Sequence, residues 1–108
     1  MARKKWETLT EQMYYVLLAL SAGPRHGYEI MQVVSQLTGG RVNIGAGTLY
    51  ALLGRFEEEG FILLRDTRER RKYYALTPEG KRALREEYER LRRQVADGAA
   101  LLGEEDIP

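Results

Sequence analysis

Phe61-Ile62-Leu63-Leu64-Arg65-Asp66-Thr67-Arg68-Glu69-Arg70-Arg71-Lys72-Tyr73-Tyr74-Ala75-Leu76 is the stretch around which the rest of the chain falls into place. Two apolar runs rich in Ile, Leu and Tyr flank a polar centre that holds five basic and two acidic side chains. Each run is too short to be an independent helix, and amphipathic helical patterns lie on both sides. The stretch therefore reads as a β-hairpin with a charged tip. No Gly, Pro or Asn in the tip fixes a turn type. Arg68, Arg70, Arg71 and Lys72 suit a polyanion with closely spaced phosphates, where neutralising several charges releases counterions. A charge-rich tip is equally well explained as a solvated loop, and the hairpin alone leaves both readings open.

Working upstream, Leu49, Leu52, Leu53 and Phe56 recur at i, i+3, i+4 and i+7 and predict a helix that Gly60 closes just before the hairpin. It opens on Gly45-Ala46-Gly47-Thr48, small residues that leave a helix N-terminus accessible. Thr48 and Tyr50 point away from the apolar stripe and can donate hydrogen bonds to phosphates or base edges. Glu57-Glu58-Glu59 would repel phosphates, so contact is expected from the N-terminal half, where the helix dipole also favours an anion. Arg41-Val42-Asn43-Ile44 reads as a connector or a minor strand, and Asn43 joins Gly47, Thr48 and Tyr50 as a candidate contact.

A second helix is expected from Arg25–Gly27, with Ile30, Val33, Val34 and Leu37 as its apolar face and Gly39-Gly40 as its stop. Before it, Thr8 with Glu11 makes a capping-box pattern that opens a first helix. Met13, Val16, Leu17 and Leu20 form the main face of this helix, and Tyr14, Tyr15 and Leu18 add a second apolar patch. Ser21-Ala22-Gly23-Pro24 ends it. Residues 1–8 read as a basic arm, where Arg3, Lys4 and Lys5 either add contacts to nucleic acid or have no role.

Downstream, Thr77-Pro78 supplies an N-cap and a proline at the first helical position, opening a fourth helix that runs to about Leu102. At 1.5 Å per residue it would span about 39 Å, whereas a compact domain of this chain length is roughly 34 Å across. Leu84, Tyr88, Leu91, Val95 and Leu102 fall on a heptad stripe interrupted by Gly98, with charged residues on the other faces. An exposed stripe of this kind calls for a second copy, packed along the fourth helix and against Tyr14 and Leu18 of the first. Residues 103–108 read as a frayed acidic tail.

The expected fold is mainly α with a small β-hairpin: a winged helix-turn-helix over residues 9–76 and a long dimerisation helix over 77–102. In that architecture the third helix enters the major groove and the hairpin tip lies against the adjacent backbone.

Composition narrows the function classes. At 108 residues and 44% hydrophobic, the chain has material for one modest core and no second domain. The net charge of +1 hides an asymmetry, since residues 1–93 carry 17 basic and 12 acidic groups and residues 94–108 carry four acidic ones. The absence of Cys removes disulfides, thiol nucleophiles and Cys-type zinc sites. His26, the one histidine, cannot anchor an ordinary zinc site alone and is expected to pack and cap at the start of the second helix. Ser21 and Ser35 lack a paired base. The carboxylates of 57–59 and 86–89 read as solvated faces, and Gly45-Ala46-Gly47-Thr48 lacks the Lys of a phosphate loop. Neither catalysis nor a cofactor nor a metal is expected. No apolar run approaches the roughly 20 residues of a membrane span, and the start lacks the apolar stretch of a signal peptide, so a cytoplasmic location is expected.

Four runs in order carry a resemblance: His26-Gly27-Tyr28-Glu29-Ile30, Gly47-Thr48-Leu49-Tyr50-Ala51-Leu52-Leu53, Glu57-Glu58-Glu59-Gly60-Phe61-Ile62, and Arg71-Lys72-Tyr73-Tyr74-Ala75-Leu76-Thr77-Pro78-Glu79-Gly80. Over roughly residues 9–95 the chain resembles the PadR family of transcriptional regulators, in its short branch with a single C-terminal helix. The resemblance implies a dimeric winged-helix repressor that binds an inverted-repeat operator in double-stranded DNA. In many members a small aromatic or lipophilic effector releases the operator. It also implies that Tyr50 faces the DNA backbone and that Tyr73-Tyr74 lies on the return strand of the wing. Some drug-responsive members of that branch sandwich a flat ligand with a Trp on the last helix. Here Tyr88 is the one aromatic residue of that helix and the sole Trp is Trp6, so Tyr14 and Tyr88 are the candidates for a ligand pocket. Two alternatives stand beside the regulator: a winged-helix protein-interaction module whose basic wing meets an acidic partner, and a small-molecule sensor.

Overall fold

Residues 8–103 are described by a computed structural model. The expectations for the arm (Arg3, Lys4, Lys5 and Trp6) and for the tail beyond Gly103 lie outside them. The order is α1 (Glu11–Leu20), α2 (Gly27–Leu37), α3 (Ala46–Glu58), β1 (Ile62–Arg68), β2 (Arg71–Leu76) and α4 (Pro78–Leu102).

The helical periodicities converge on one core. Val16 and Leu17 of α1, Ile30 and Val34 of α2, and Leu49, Leu53 and Phe56 of α3 are fully buried, with Phe61 at the entry to the hairpin closing the cluster. Burial of each such side chain contributes about 1.5–3 kcal/mol relative to exposure. Two expectations are corrected here. Leu37 is 58% exposed, because α2 ends there and its last turn runs past the edge of the core. The cap of α1 is Thr10 rather than Thr8: the Thr10 hydroxyl accepts from the Met13 N–H, and the Met13 sulfur accepts from the Thr10 N–H.

The hairpin pairs Ile62 with Leu76 at its base and Arg68 with Arg71 at its end, leaving Glu69-Arg70 as a two-residue loop. Both loop residues have positive φ, 51° and 70°, the signature of a type I′ turn that matches the right-handed twist of the strands. Neither is Gly or Asn, so sequence chemistry did not announce the turn. The register shifts between Leu64 and Asp66: Arg65 is the extra residue of a bulge, which bends the strand. Arg41–Ile44 forms no strand; Val42 and Ile44 bury their side chains instead. The backbone of β2 pairs with a different segment, where Arg25 and Tyr74 exchange N–H to carbonyl bonds of 3.0 and 2.9 Å. This bridge ties the wing to the turn between α1 and α2.

Thr77 caps α4 by accepting from the Gly80 N–H, and its own N–H donates to the Phe61 carbonyl. Gly80 lies so close to that carbonyl that a Cβ there would be driven into it. The helix therefore starts on the wing base and runs across α1. Its 25 residues give a length of about 37 Å, and the molecule measures 51 × 35 × 22 Å. Val95, Leu101 and Leu102, at its far end, are exposed.

Candidate nucleic-acid interface

Helices α1, α2 and α4 are each capped by a side chain, from Thr10, His26 and Thr77, whereas α3 begins at Gly45 with no side-chain cap. The first N–H groups of α3 thus lie among small exposed residues, including Gly47 and Thr48, an arrangement that favours an approaching anion. Asn43 is exposed at the loop before this helix, and its amide nitrogen donates to the Gly40 carbonyl at 2.8 Å. Tyr50 is 54% exposed. Its ring lies across the start of α2, where a Cβ on Gly27 would sit 2.5 Å from the Tyr50 hydroxyl; only glycine lets the phenol settle there.

The wing supplies the charge. Arg68 stays exposed but is engaged within the wing: its guanidinium lies 4.0 Å from the centre of the Tyr73 ring and 3.6 Å from an Asp66 carboxylate oxygen. Arg70, Arg71 and Lys72 are exposed and pair with no carboxylate among the described residues. Arg71 reaches back to α2, with its Nη1 2.9 Å from the Nε2 of His26. His26, Gly27, Tyr28, Tyr50, Arg70, Arg71, Lys72 and Tyr74 line a cleft of about 500 Å³. Tyr74 is buried beneath it, and its phenol is held above the usual tyrosine range by that burial first and then by Glu57 and Tyr50.

Sequence reasoning had placed His26 as a cap but not as a partner of the wing, and it had not singled out Tyr28. The signal for the cap was present, since Glu29 stands three residues on and returns a carboxylate to the His26 N–H at 3.2 Å. The wing contact depends on tertiary packing across 45 residues of sequence, which no local pattern encodes.

The opposite face is built by α1 and α4. Tyr14 and Tyr88 line two grooves: a mixed one of about 630 Å³ with Leu18, Leu76 and Leu84 rimmed by Lys81, Arg82 and Arg85, and a mainly apolar one of about 380 Å³ with Leu91, Val95 and Ala99. Burial, followed by the neighbouring Tyr15, Tyr88 and Glu87, raises the Tyr14 phenol above its usual range. Glu87 corrects the solvated-face expectation for 86–89. It is only 5% exposed, beside Leu9, Tyr14 and Tyr15 where α1 crosses α4, and Arg90 binds it with two nitrogens. A carboxylate buried at a helix crossing needs such a partner.

Among the described residues no group of His, Cys, Asp and Glu could hold a metal ion, and no helix is long and apolar enough to cross a membrane. Three helices, a hairpin tied back to them and an accessible third helix define the winged helix-turn-helix class. Residues 16–86 match the Transcriptional regulator PadR-like family, and the chain belongs to that family, whose members are transcription regulators rather than enzymes. The fold superposes on a PadR family transcription regulator from Clostridium difficile with a TM-score of 0.73 and 28% identity, covering 84% of this chain and 97% of that one. Bacillus subtilis PadR in complex with operator DNA gives a TM-score of 0.65 and 28% identity, covering 71% of this chain and 46% of that one. The transcriptional regulator YqjI of Escherichia coli is 32% identical over 76 residues, 70% of this chain and 37% of its own length. The chain spans between 20% and 37% of the length of the curated relatives it matches.

Proposed function

We propose that the chain is a sequence-specific DNA-binding repressor that acts as a homodimer on an inverted-repeat operator. The observation that carries this is the pairing of an uncapped, exposed α3 start with a wing whose Arg70, Arg71 and Lys72 have no carboxylate partner among the described residues. Asn43, Gly47 and Thr48 face the groove in this proposal, while Tyr50, Arg68, Arg70, Arg71 and Lys72 meet the backbone. The wing residues position the protein, because a cationic tip without fixed bidentate geometry carries little sequence information, and base reading falls to α3.

The dimer would form along α4, through Leu84, Tyr88, Leu91, Val95 and Leu102, with Tyr14 and Leu18 of α1. Two-fold symmetry would then set two α3 helices about 34 Å apart, one turn of DNA. The groove between Tyr14 and Tyr88 supports a second element of the proposal: a small aromatic or lipophilic effector held there, at or beside the dimer contact, and releasing the operator.

Binding to the chain's own upstream DNA, measured by fluorescence anisotropy at about 50 and 200 mM salt, tests the proposal. Six or more phosphate contacts predict a loss on the order of 10³-fold between these concentrations. Absent or salt-insensitive binding would point instead to an interaction module whose basic wing docks on an acidic protein surface.

A further inference from the structure

The cleft between α2, α3 and the wing contains an imbalance that the preceding proposal leaves unused. Its lining holds three cations, Arg70, Arg71 and Lys72, and two phenols more than half exposed, Tyr28 and Tyr50, but no carboxylate. At its floor His26 is only 6% exposed and is held on every side. Its Nδ1 accepts from the Glu29 N–H at 3.3 Å, Tyr73 packs edge-on with ring centres 5.1 Å apart, and Nε2 meets Arg71. A neutral imidazole has one acceptor nitrogen, and Arg is a donor only. If Nδ1 keeps the cap, Nε2 carries the proton and two donors face each other across 2.9 Å. The nearest carboxylate, Glu29, is engaged with His26, its Oε1 accepting from the His26 N–H and its Oε2 3.7 Å from Nε2, so the cations lining the cleft have no carboxylate of their own among the described residues.

We propose that this cleft clamps one specific phosphate of the bound duplex, and that His26 is a positioning residue for the clamp. The inference rests on the DNA-binding proposal and goes further by assigning one phosphate to one site. Arg71, Lys72 and the Tyr50 and Tyr28 hydroxyls donate to the phosphate oxygens. The phosphate supplies the anionic acceptor that Arg71 and Lys72 lack among the described residues. His26 touches no DNA: its fixed ring forms the wall against which the Arg71 guanidinium rests, so this arginine is preorganised while Arg70 on the turn is free. Gly27 belongs to the same device, because it leaves room for the Tyr50 hydroxyl over α2.

The test is a scan in which single phosphates of the upstream duplex are replaced by neutral methylphosphonates, read by anisotropy with the wild type, Arg71→Ala, Tyr50→Phe and His26→Asn. His26→Asn retains an oxygen able to cap α2 but is too short to back Arg71. One phosphate per half-site should lose about ten-fold in affinity when neutralised in the wild type. Neutralising that phosphate should cost Arg71→Ala less than about two-fold, with every other position unchanged. His26→Asn and Tyr50→Phe should shrink the penalty at that position alone, a readout that a general loss of fold would not give. If the Arg71→Ala loss adds to the methylphosphonate loss at every position, the clamp is wrong while DNA binding stands. If the wild type binds no duplex at low salt, the DNA proposal falls and takes the clamp with it.

Discussion

The α3–wing face and the α1–α4 face are both rich in arginine, yet they use it in opposite ways. On α4, Arg82, Arg90 and Arg92 each bind the glutamate three residues before them, Glu79, Glu87 and Glu89. On the wing, Arg70, Arg71 and Lys72 pair with no carboxylate among the described residues. A cation already paired along its own helix has little to gain from a phosphate, whereas an unpaired one gains from each counterion that it displaces. The α4 face offers a mainly apolar groove instead, lined by Tyr14, Tyr88, Leu91 and Val95. Total charge therefore says little about where a polyanion binds; the local supply of carboxylates decides it.

The two faces are joined at Gly80, where α4 presses on the Phe61 carbonyl. Breaking that junction should have the largest effect. Gly80→Ala puts a methyl group into a backbone carbonyl that cannot move without pulling the hairpin from the core. The expected loss is about 3 kcal/mol or more, seen as a lower denaturant midpoint. A variant as stable as the wild type would show that α4 shifts freely over the wing base.

The contrast between the arginines can be tested at constant net charge. Arg70→Gln/Arg71→Gln should lower duplex affinity about 30-fold, or ~2 kcal/mol, and flatten the salt slope by about two. Arg82→Gln/Arg92→Gln removes the same charge from the opposite face and should change affinity by less than about three-fold. Equal losses from the two pairs in anisotropy titrations would mean that binding responds to net charge alone.

Helix spacing alone makes most of the fold legible. Leu49, Leu52, Leu53 and Phe56 were read as one buried face, and all four are buried. The apolar flanks of 61–76 were read as paired strands, and they pair. What the sequence hid was either nonlocal or against local preference. The Arg25–Tyr74 bridge and the His26–Arg71 contact join segments that are distant along the chain. Glu87 looks like its neighbours until α1 lies over it. Leu37 keeps helical spacing one turn beyond the reach of the core. At the candidate interface, residue types point to Tyr50 and the wing cations, but nothing in them distinguishes Arg68, stacked on Tyr73 beside Asp66, from Arg71.

The apolar side of the comparison can be tested at Val95, which is 64% exposed and contributes nothing to the folded core. Val95→Glu should leave the unfolding midpoint of the isolated chain nearly unchanged and weaken the proposed dimer about ten-fold, or ~1.4 kcal/mol. Sedimentation across a concentration series would measure this. Dimer strength unaffected by a charge at this point would move the contact away from the α4 stripe.

The smallest expected effect separates the shape of the wing from its charge. Glu69 holds φ at 51°, a left-handed conformation that Asn tolerates and Glu does not favour. Glu69→Asn should therefore stabilise the hairpin by about 0.5–1 kcal/mol, measured as slower amide exchange in β1 and β2. It also deletes the one negative charge of the two-residue tip, which should strengthen duplex binding by a few-fold. Glu69→Gln makes the same charge change without the conformational relief. Equal binding by the two variants, with slower exchange only for Asn, assigns the affinity to charge and the rigidity to the turn. Tighter binding by Asn alone would mean that the wing docks better when its tip is held in shape, and that its geometry, beyond its unpaired cations, sets this face apart from α4.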